Sequence, residues 1–471
     1  MASDVKKGKK FRLRLKPLQQ IVIGFIVVIL LGTILLSLPI SSAEGRAPSL
    51  LSCFFTSVSA TCVTGLAVVD TLTTWSVFGQ IVILLMIQFG GLGTMSMVVV
   101  LALLVRKRIS PLENIIVSQS LGLDANENTA TDLMKIIVIG TFGFETLGAL
   151  LLMIRFIPRF GVGQGIYKSI FHSVSAFCNA GFDLLGPEGM SVMKDDPTVL
   201  LVLSALIIIG GIGFLVWADL GVFLLSKRKM KLSVADALHN IAGRSNRLFA
   251  YTKLVLLVTA ILLVSGSALT LAFEWNNALA GMDLFHKIVN AFFHSVSLRT
   301  AGFASLNNAE LSAGTQVFSI IFMFIGGASG STAGGIKVST VALAFISTLR
   351  VMGGRDGVVV FRRRIKPEVT TRAMALVLFG ETVVAIGALS LYVSSDVTFM
   401  QALYEAVSAY ATVGLSLGVT PGLGPFAQIV LTLLMFMGRV GVITIVLSLI
   451  QKNGAGSPDA QIGRASCRER V

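Results

Sequence analysis

The chain reads FHSVSAFCNAG at residues 171–181, and it repeats this stretch in three further copies. The other copies are FTSVSATCVTG at 55–65, FHSVSLRTAG at 293–302 and YEAVSAYATVG at 404–414. Each copy has an aromatic residue, a run of small residues and a polar segment that ends in glycine, and the third copy is one residue shorter. The final glycines recur at intervals of 112 to 121 residues, which indicates one chain built from four related units.

The composition is that of an all-α integral membrane protein. Of the 471 residues, 54% are hydrophobic and only 13% are charged, whereas a soluble chain carries roughly 25% charged residues. No charged residue occurs at 17–43, 71–105 or 311–336, and each of these runs exceeds the ~20 residues that a helix needs to cross a bilayer. Four scattered cysteines do not make a disulfide framework.

The net charge of +14 is concentrated in short basic clusters at 6–16, 106–108, 227–231 and 362–366. These clusters fall between alternate apolar segments, as the positive-inside rule expects for cytoplasmic loops. We therefore interpret the charge as setting the topology, with both termini cytoplasmic in the plasma (inner) membrane, and expect the lipid bilayer rather than nucleic acid as the partner.

Each unit is expected to contain a spanning helix, a re-entrant half-helix with its loop, and a second spanning helix. A half-helix of about ten residues is too short to cross the bilayer. We expect the first helices at 18–38, 133–156, 254–273 and 373–393, and the second helices at 74–105, 198–225, from 311, and at 426–450. The units are then 17–112, 113–232, 233–352 and 353–452, between a basic cytoplasmic arm at 1–16 and a disordered tail or cloning scar at 453–471. Eight spans place the four units in parallel, with pseudo-fourfold symmetry around one pore.

Irregular backbone at membrane depth is tolerated only where it is buried in protein or lines a water-filled cavity. Four convergent loops can replace the hydration shell of a cation with rings of backbone carbonyls, and glycine permits the backbone angles that this requires. The negative C-terminal ends of the half-helices also favour a cation. The predicted filter residues are Val63, Thr64, Gly65, Asn179, Ala180, Gly181, Thr300, Ala301, Gly302, Thr412, Val413 and Gly414.

The stretch GGASGSTAGG at 326–335 lies inside the second spanning helix of the third unit and should break that helix. A flexible kink and a mobile gate below the filter are the two interpretations. Arg439 is a charge at membrane depth, which marks a functional site by default, although a structural ion pair is an alternative. The glycine pairs at 90–91 and 210–211 are read as close helix packing. The candidate gate residues are Gly326, Gly327, Gly330, Ser331, Thr332, Gly334, Gly335 and Arg439.

Helix, pore loop and helix, four times with one glycine per loop, resembles the Trk/Ktr/HKT superfamily of potassium transporters. The likeness spans about residues 17 to 452 and is closest to the membrane subunit of bacterial Ktr systems. The resemblance implies potassium uptake, sodium-dependent in several members, by a homodimer in which each chain has its own pore. It also implies a cytoplasmic ring of nucleotide-binding regulatory subunits, and an intramembrane loop and an arginine, here 326–335 and Arg439, that gate the pore.

Two alternatives stay open at this stage. A sodium-selective or sodium-coupled relative is the first, although Gly65 stands where serine accompanies sodium preference in the resembled plant proteins. A membrane-embedded enzyme or scaffold is the second, and it is disfavoured because the four histidines form no catalytic constellation. We expect K⁺ as the substrate, with Na⁺ as the alternative, and no organic cofactor. Structural pairing rather than ion contact is expected for Glu145, Glu381, Arg299, His172, His294 and Glu405, whereas Lys337 is a candidate for closing the cytoplasmic side of the glycine break.

Overall fold

The computed structural model describes residues 17–46, 48–93, 127–228, 248–354, 357–361 and 363–441. The predicted basic arm, the tail and the basic cluster at 106–108 lie outside these residues. The described chain is helical apart from loops and a two-stranded hairpin of β1 (Val359–Val360) and β2 (Arg363–Arg364).

The first two units begin with long apolar helices and continue into shorter ones. Their helices are α1 (Pro17–Leu36), α2 (Leu50–Thr61), α3 (Thr71–Thr74), α4 (Val77–Leu92), α5 (Glu127–Phe160), α6 (Val162–Phe177), α7 (Pro197–Gly211) and α8 (Phe214–Arg228). The last two units contain α9 (Ala250–Glu274), α10 (Leu284–Ser297), α11 (Ala313–Phe324), α12 (Val338–Met352), α13 (Pro367–Ser394), α14 (Phe399–Tyr410) and α15 (Pro425–Val440). The order of helix, half-helix and helix therefore recurs in each unit.

The four first helices form the lipid-facing exterior. Among the described residues, α1, α5, α9 and α13 are long and apolar enough to cross a membrane, and α7 with α8 makes a fifth span if the bent pair counts as one. Apolar side chains on these helices point outward, such as Ile34, Ile154, Val264 and Val393 at 62 to 78% exposure. The protein is a multi-pass membrane protein.

The half-helices α2, α6, α10 and α14 form the core. Their aromatic residues Phe55, Phe171, Phe293 and Tyr404 are fully buried. Side chains cap three of them: Ser49 accepts from Ser52 N on α2, Asp283 accepts from Phe285 N on α10, and Thr398 forms a capping box with Gln401 on α14. Because each half-helix lies inside the ring of longer helices, its polar C-terminal end stays away from lipid.

The prediction that the second spanning helices of the first, second and fourth units are continuous is wrong. In the second unit α7 and α8 meet at 94°, at a break where Gly213 has φ +94° and Phe214 N donates to Gly330 O from another unit. Helices α4 and α15 end before Gly93 and Gly441, which also have positive φ; the residues after these two glycines lie outside the described part of the chain. The break expected at 326–335 is present, between α11 and α12. Apolar content predicts burial in the membrane, but glycine and long-range contacts decide where the backbone turns.

Candidate ion-conducting site

The loop after each half-helix folds back on the end of that helix. The amide nitrogens of Thr64, Ala180 and Val413 each donate to a serine carbonyl five residues earlier, at 2.8, 2.7 and 2.8 Å. In the third unit Ala301 N donates to Ser297 O at 3.0 Å, four residues earlier. The residue that the third copy lacks is therefore missing from this turn, and the following glycine keeps its place.

Each turn also holds a non-glycine residue in the left-handed region. The φ angles are 58° at Val63, 59° at Asn179, 67° at Thr300 and 51° at Thr412. Three of these residues are β-branched, and a left-handed residue costs about 1–3 kcal/mol that surrounding packing must offset. Such strain at equivalent positions of four loops points to a function for the loops rather than to ordinary connections.

The four loop glycines stand against one another in a closed cycle. A Cβ atom built on Gly65 would lie 2.5 Å from Ala180 O, and one on Gly181 would lie 2.8 Å from Ala301 O. A Cβ atom on Gly302 would lie 2.5 Å from Val413 O, and one on Gly414 would lie 2.0 Å from Thr64 O. Only glycine fits at any of these positions, and the cycle places backbone carbonyls of all four loops in one narrow ring.

A cavity of about 500 Å³ opens on one side of this ring. Gly65 and Gly414 line it together with residues that come after the loops, including Asn307, Ser416 and Thr420. We call this cavity the vestibule. The predicted topology would place this cavity on the outer side of the membrane.

The glycine-rich break at 326–335 lies on the other side, in contact with the loops of the second and fourth units. Ala328 N donates to Gly211 O at 2.9 Å, and Thr332 Oγ1 donates to Phe177 O at 3.1 Å. On the fourth unit, a Cβ atom on Gly334 would lie 2.0 Å from Thr412 Oγ1. The break is therefore a packed loop directly beside predicted filter residues, and not a simple kink in a continuous helix.

Arg439 joins this loop to the first unit. Its guanidinium donates to the carbonyl oxygens of Thr332, Gly90 and Gly91, the last at 3.3 Å. Among the described residues no carboxylate forms an ion pair with it, so the ion-pair alternative has no support here. Backbone carbonyls at the end of α4 instead stabilise this half-buried charge, as the negative end of a helix dipole does.

The matching family model is that of TrkH, described as a cation transport protein, over residues 3–455. The chain belongs to this family. It is 36% identical to the Ktr system potassium uptake protein B of Bacillus subtilis (strain 168), over 95% of this chain and 97% of the relative. It is also 36% identical to the potassium/sodium uptake protein NtpJ of Enterococcus hirae, over 94% and 95%.

A solved structure shares the fold of this TrkH-family chain. The potassium transporter TrkH from Vibrio parahaemolyticus superposes with a TM-score of 0.69 at 19% identity, over 94% of this chain and 86% of that one. At this identity the likeness concerns the fold alone, and the residue roles rest on the contacts described above.

The second-helix glycines of this TrkH-family chain permit close packing, as predicted. Cβ atoms on Gly90, Gly210 and Gly438 would lie 2.1, 2.0 and 1.7 Å from the carbonyl oxygens of Thr61, Phe177 and Tyr410, the last residues of three half-helices. In the third unit Gly326 instead faces Gly334 O within the glycine-rich loop. The loop thus occupies the space that a helix–helix contact fills in the other units.

The predictions for polar residues outside the candidate filter are confirmed for some residues and not for others. Glu145 pairs structurally as expected, because Gln88 Nε2 donates to its carboxylate at 3.0 Å and the carboxylate is buried. Glu381 differs: it is exposed at the middle of α13, and none of the described residues hydrogen-bonds its carboxylate. Lys337 Nζ donates to Ala333 O at 2.8 Å and so caps the glycine-rich loop. Arg299 is buried in the third repeated stretch, but its Nε and Nη2 atoms have no hydrogen-bond partner among the described residues, so the expected pairing is not found for these atoms.

Two residues escape sequence reasoning. Tyr251, near the start of α9, donates its hydroxyl to Ser329 O at 3.1 Å and so holds the glycine-rich loop from a third side. Gln88 is the partner of Glu145. A polar side chain two residues before the glycine pair at 90–91 was the available signal for Gln88, whereas nothing in the repeats distinguishes Tyr251.

Proposed function

We propose that this chain carries K⁺ into the cell across the plasma membrane, through a filter formed by the loops at 63–65, 179–181, 300–302 and 412–414. The observation that carries the proposal is the closed cycle of Gly65, Gly181, Gly302 and Gly414. Four such loops around one pore, with pseudo-fourfold symmetry, present backbone carbonyls that replace the hydration shell of a cation. The names of the Ktr relatives support potassium as that cation.

The glycine-rich loop is the gate in this proposal. Gly326, Gly327, Gly330, Ser331, Thr332, Gly334 and Gly335 form its backbone, and Arg439, Lys337 and Tyr251 hold its carbonyls. Hydrogen bonds to a charged donor stabilise by about 1.5–3 kcal/mol each. The closed position is therefore stable until a partner that binds the open state shifts the equilibrium. By family resemblance that partner is a cytoplasmic ring of nucleotide-binding subunits beneath a homodimer of this chain.

Sodium is the second candidate, as a transported or coupling ion. The name of the NtpJ relative, a potassium/sodium uptake protein, favours considering it. The presence of glycine at position 65 in the first loop favours potassium, by the family pattern.

The test is uptake of ⁸⁶Rb⁺, as a tracer for K⁺, into liposomes that contain the purified chain. We expect uptake driven by an inside-negative potential that unlabelled K⁺ suppresses at concentrations where Na⁺ does not. Uptake of ²²Na⁺ that K⁺ leaves undiminished would establish the sodium alternative instead. Absence of any cation flux, with and without a regulatory ring, would refute the proposal.

A further inference from the structure

One polar side chain lies behind each filter loop, at the position directly after the aromatic residue of the repeated stretch. Thr56, His172, His294 and Glu405 occupy this position, and each is at most 3% exposed. Glu405 is the only acidic residue of the four half-helices. The fourth loop therefore has a buried carboxylate where the other three have a hydroxyl or an imidazole.

The segment after the fourth filter loop wraps around the Glu405 carboxylate. Its oxygens accept from Ser416 Oγ at 2.6 Å, Thr420 Oγ1 at 2.8 Å and Leu417 N at 3.1 Å. Ser416 Oγ in turn accepts from Gly418 N at 2.9 Å. Three hydrogen bonds converge on this one side chain, so it fixes the backbone that leaves Gly414.

The second unit makes the same backbone contact without the charge. Leu184 N donates to His172 Nε2 at 3.3 Å, and Leu184 lies twelve residues after His172, as Leu417 does after Glu405. The other ring nitrogen, His172 Nδ1, lies 2.7 Å from Lys168 O and therefore carries the proton. A neutral hydrogen-bond acceptor is thus enough to hold the segment after the filter loop. The carboxylic acid at position 405 is not needed for that contact alone.

The Glu405 carboxylate also lies next to the vestibule. Ser416 and Thr420 line the vestibule and donate to Glu405 from its wall, while Gly414 lies at its floor. The carboxylate is therefore one hydrogen bond behind the surface that an entering cation meets. In its ionised form the carboxylate is screened less by salt than a surface charge would be, and its field then acts on the cavity.

We propose that Glu405 is a specificity-determining residue of this transporter that acts without touching the ion. Its hydrogen bonds hold the vestibule wall at Ser416 and Thr420, and in its ionised form it raises the local concentration of cations above the filter. The proposal rests on the proposed function, because it assigns the vestibule to the entry path. It makes the fourth unit the one that attracts the ion, whereas all four units contribute carbonyls.

Two substitutions separate the hydrogen bonds from the charge. Glu405→Gln retains an acceptor for Leu417 N and the shape of the side chain, so we expect the KM for external K⁺ to rise about tenfold while the K⁺/Na⁺ preference stays within about twofold. Glu405→Ala also leaves the three donors of Ser416, Leu417 and Thr420 without this acceptor. We therefore expect the same rise in KM together with a fall of about tenfold in the K⁺/Na⁺ preference.

Glu274→Gln is the matched control. Glu274 is also fully buried and accepts from the backbone amide of Ser312 and from the hydroxyls of Ser312 and Thr315. It accepts in addition from Asn277 Nδ2 and Ala278 N, and it does not line the vestibule. We expect its KM to equal that of the wild type in the same liposome assay, with monodisperse elution in detergent as the check of folding.

A KM within twofold of the wild type in both Glu405 variants overturns the proposal, and so does an equal rise in the Glu274 variant. If the wild type takes up another monovalent cation instead of K⁺, the proposed substrate is wrong. The same comparison of KM, made with that cation, still decides the role of Glu405.

Discussion

The glycine cycle makes a graded prediction for Gly→Ala substitutions. Two costs apply at each position: a side chain at a φ of 70 to 92°, about 1–3 kcal/mol, and overlap with a carbonyl of the next loop, about 1–3 kcal/mol. The overlap differs, because the built Cβ atom lies 2.0 Å from that oxygen at Gly414, 2.5 Å at Gly65 and Gly302, and 2.8 Å at Gly181. The substituted loop must move its neighbour's carbonyl, which is itself part of the ring.

We therefore expect Gly414→Ala to lose the most K⁺/Na⁺ preference and Gly181→Ala the least. If the displaced carbonyl weakens the binding of K⁺ relative to Na⁺ by about 1.4 kcal/mol, the K⁺/Na⁺ preference drops tenfold. The assay is competition of ⁸⁶Rb⁺ uptake by K⁺ and Na⁺ in liposomes. Gly161→Ala is the control, because Gly161 has φ +81° with no atom within 4 Å of its built Cβ. It carries the backbone cost alone.

A Gly414→Ala protein that folds and keeps the wild-type preference would contradict the filter assignment. A Gly181 variant that is damaged more than the Gly414 variant would contradict the geometry of the cycle. Damage in the Gly161 control equal to that in the ring variants would show that backbone strain, and not the carbonyl ring, sets the outcome.

Three further predictions concern the gate and its surroundings. Arg439→Ala removes charge-assisted hydrogen bonds of about 1.5 kcal/mol or more each. We therefore expect the cation leak into liposomes, measured without a regulatory partner, to rise about 100-fold. Arg439→Lys should give a leak between those of the wild type and Arg439→Ala, because one ammonium group cannot match the planar guanidinium. Tyr251→Phe deletes a single hydrogen bond to Ser329, so leak should rise about fivefold, from about 1 kcal/mol; an unchanged leak would remove Tyr251 from the gate. Glu145→Leu leaves the Gln88 amide unpaired and should lower the free energy of unfolding by about 1–3 kcal/mol, measured by thermal melting in detergent, whereas Glu145→Gln should retain most of the stability.

The local pattern of the chain was enough to predict the long first helices and the half-helices of this protein. Long uncharged runs require helices in a bilayer, and a ten-residue apolar stretch that ends in a polar turn and glycine cannot span it. For that reason a half-helix before each loop could be predicted, although α2, α6, α10 and α14, at 12 to 16 residues, are longer than the ten residues expected. The break at 326–335 was also readable, because five glycines in ten residues remove helix stability wherever the segment lies.

Contacts between residues that are far apart in sequence decided the rest. The bend between α7 and α8 depends on Phe214 N finding Gly330 O, and the partners of Arg439 are carbonyls of the first and third units. Glu405 differed from His172 only as a residue type until the fold placed its carboxylate behind the vestibule wall. A repeat in the sequence specifies four similar units, but only their packing brings different side chains to a shared space, where their inequality acquires a role.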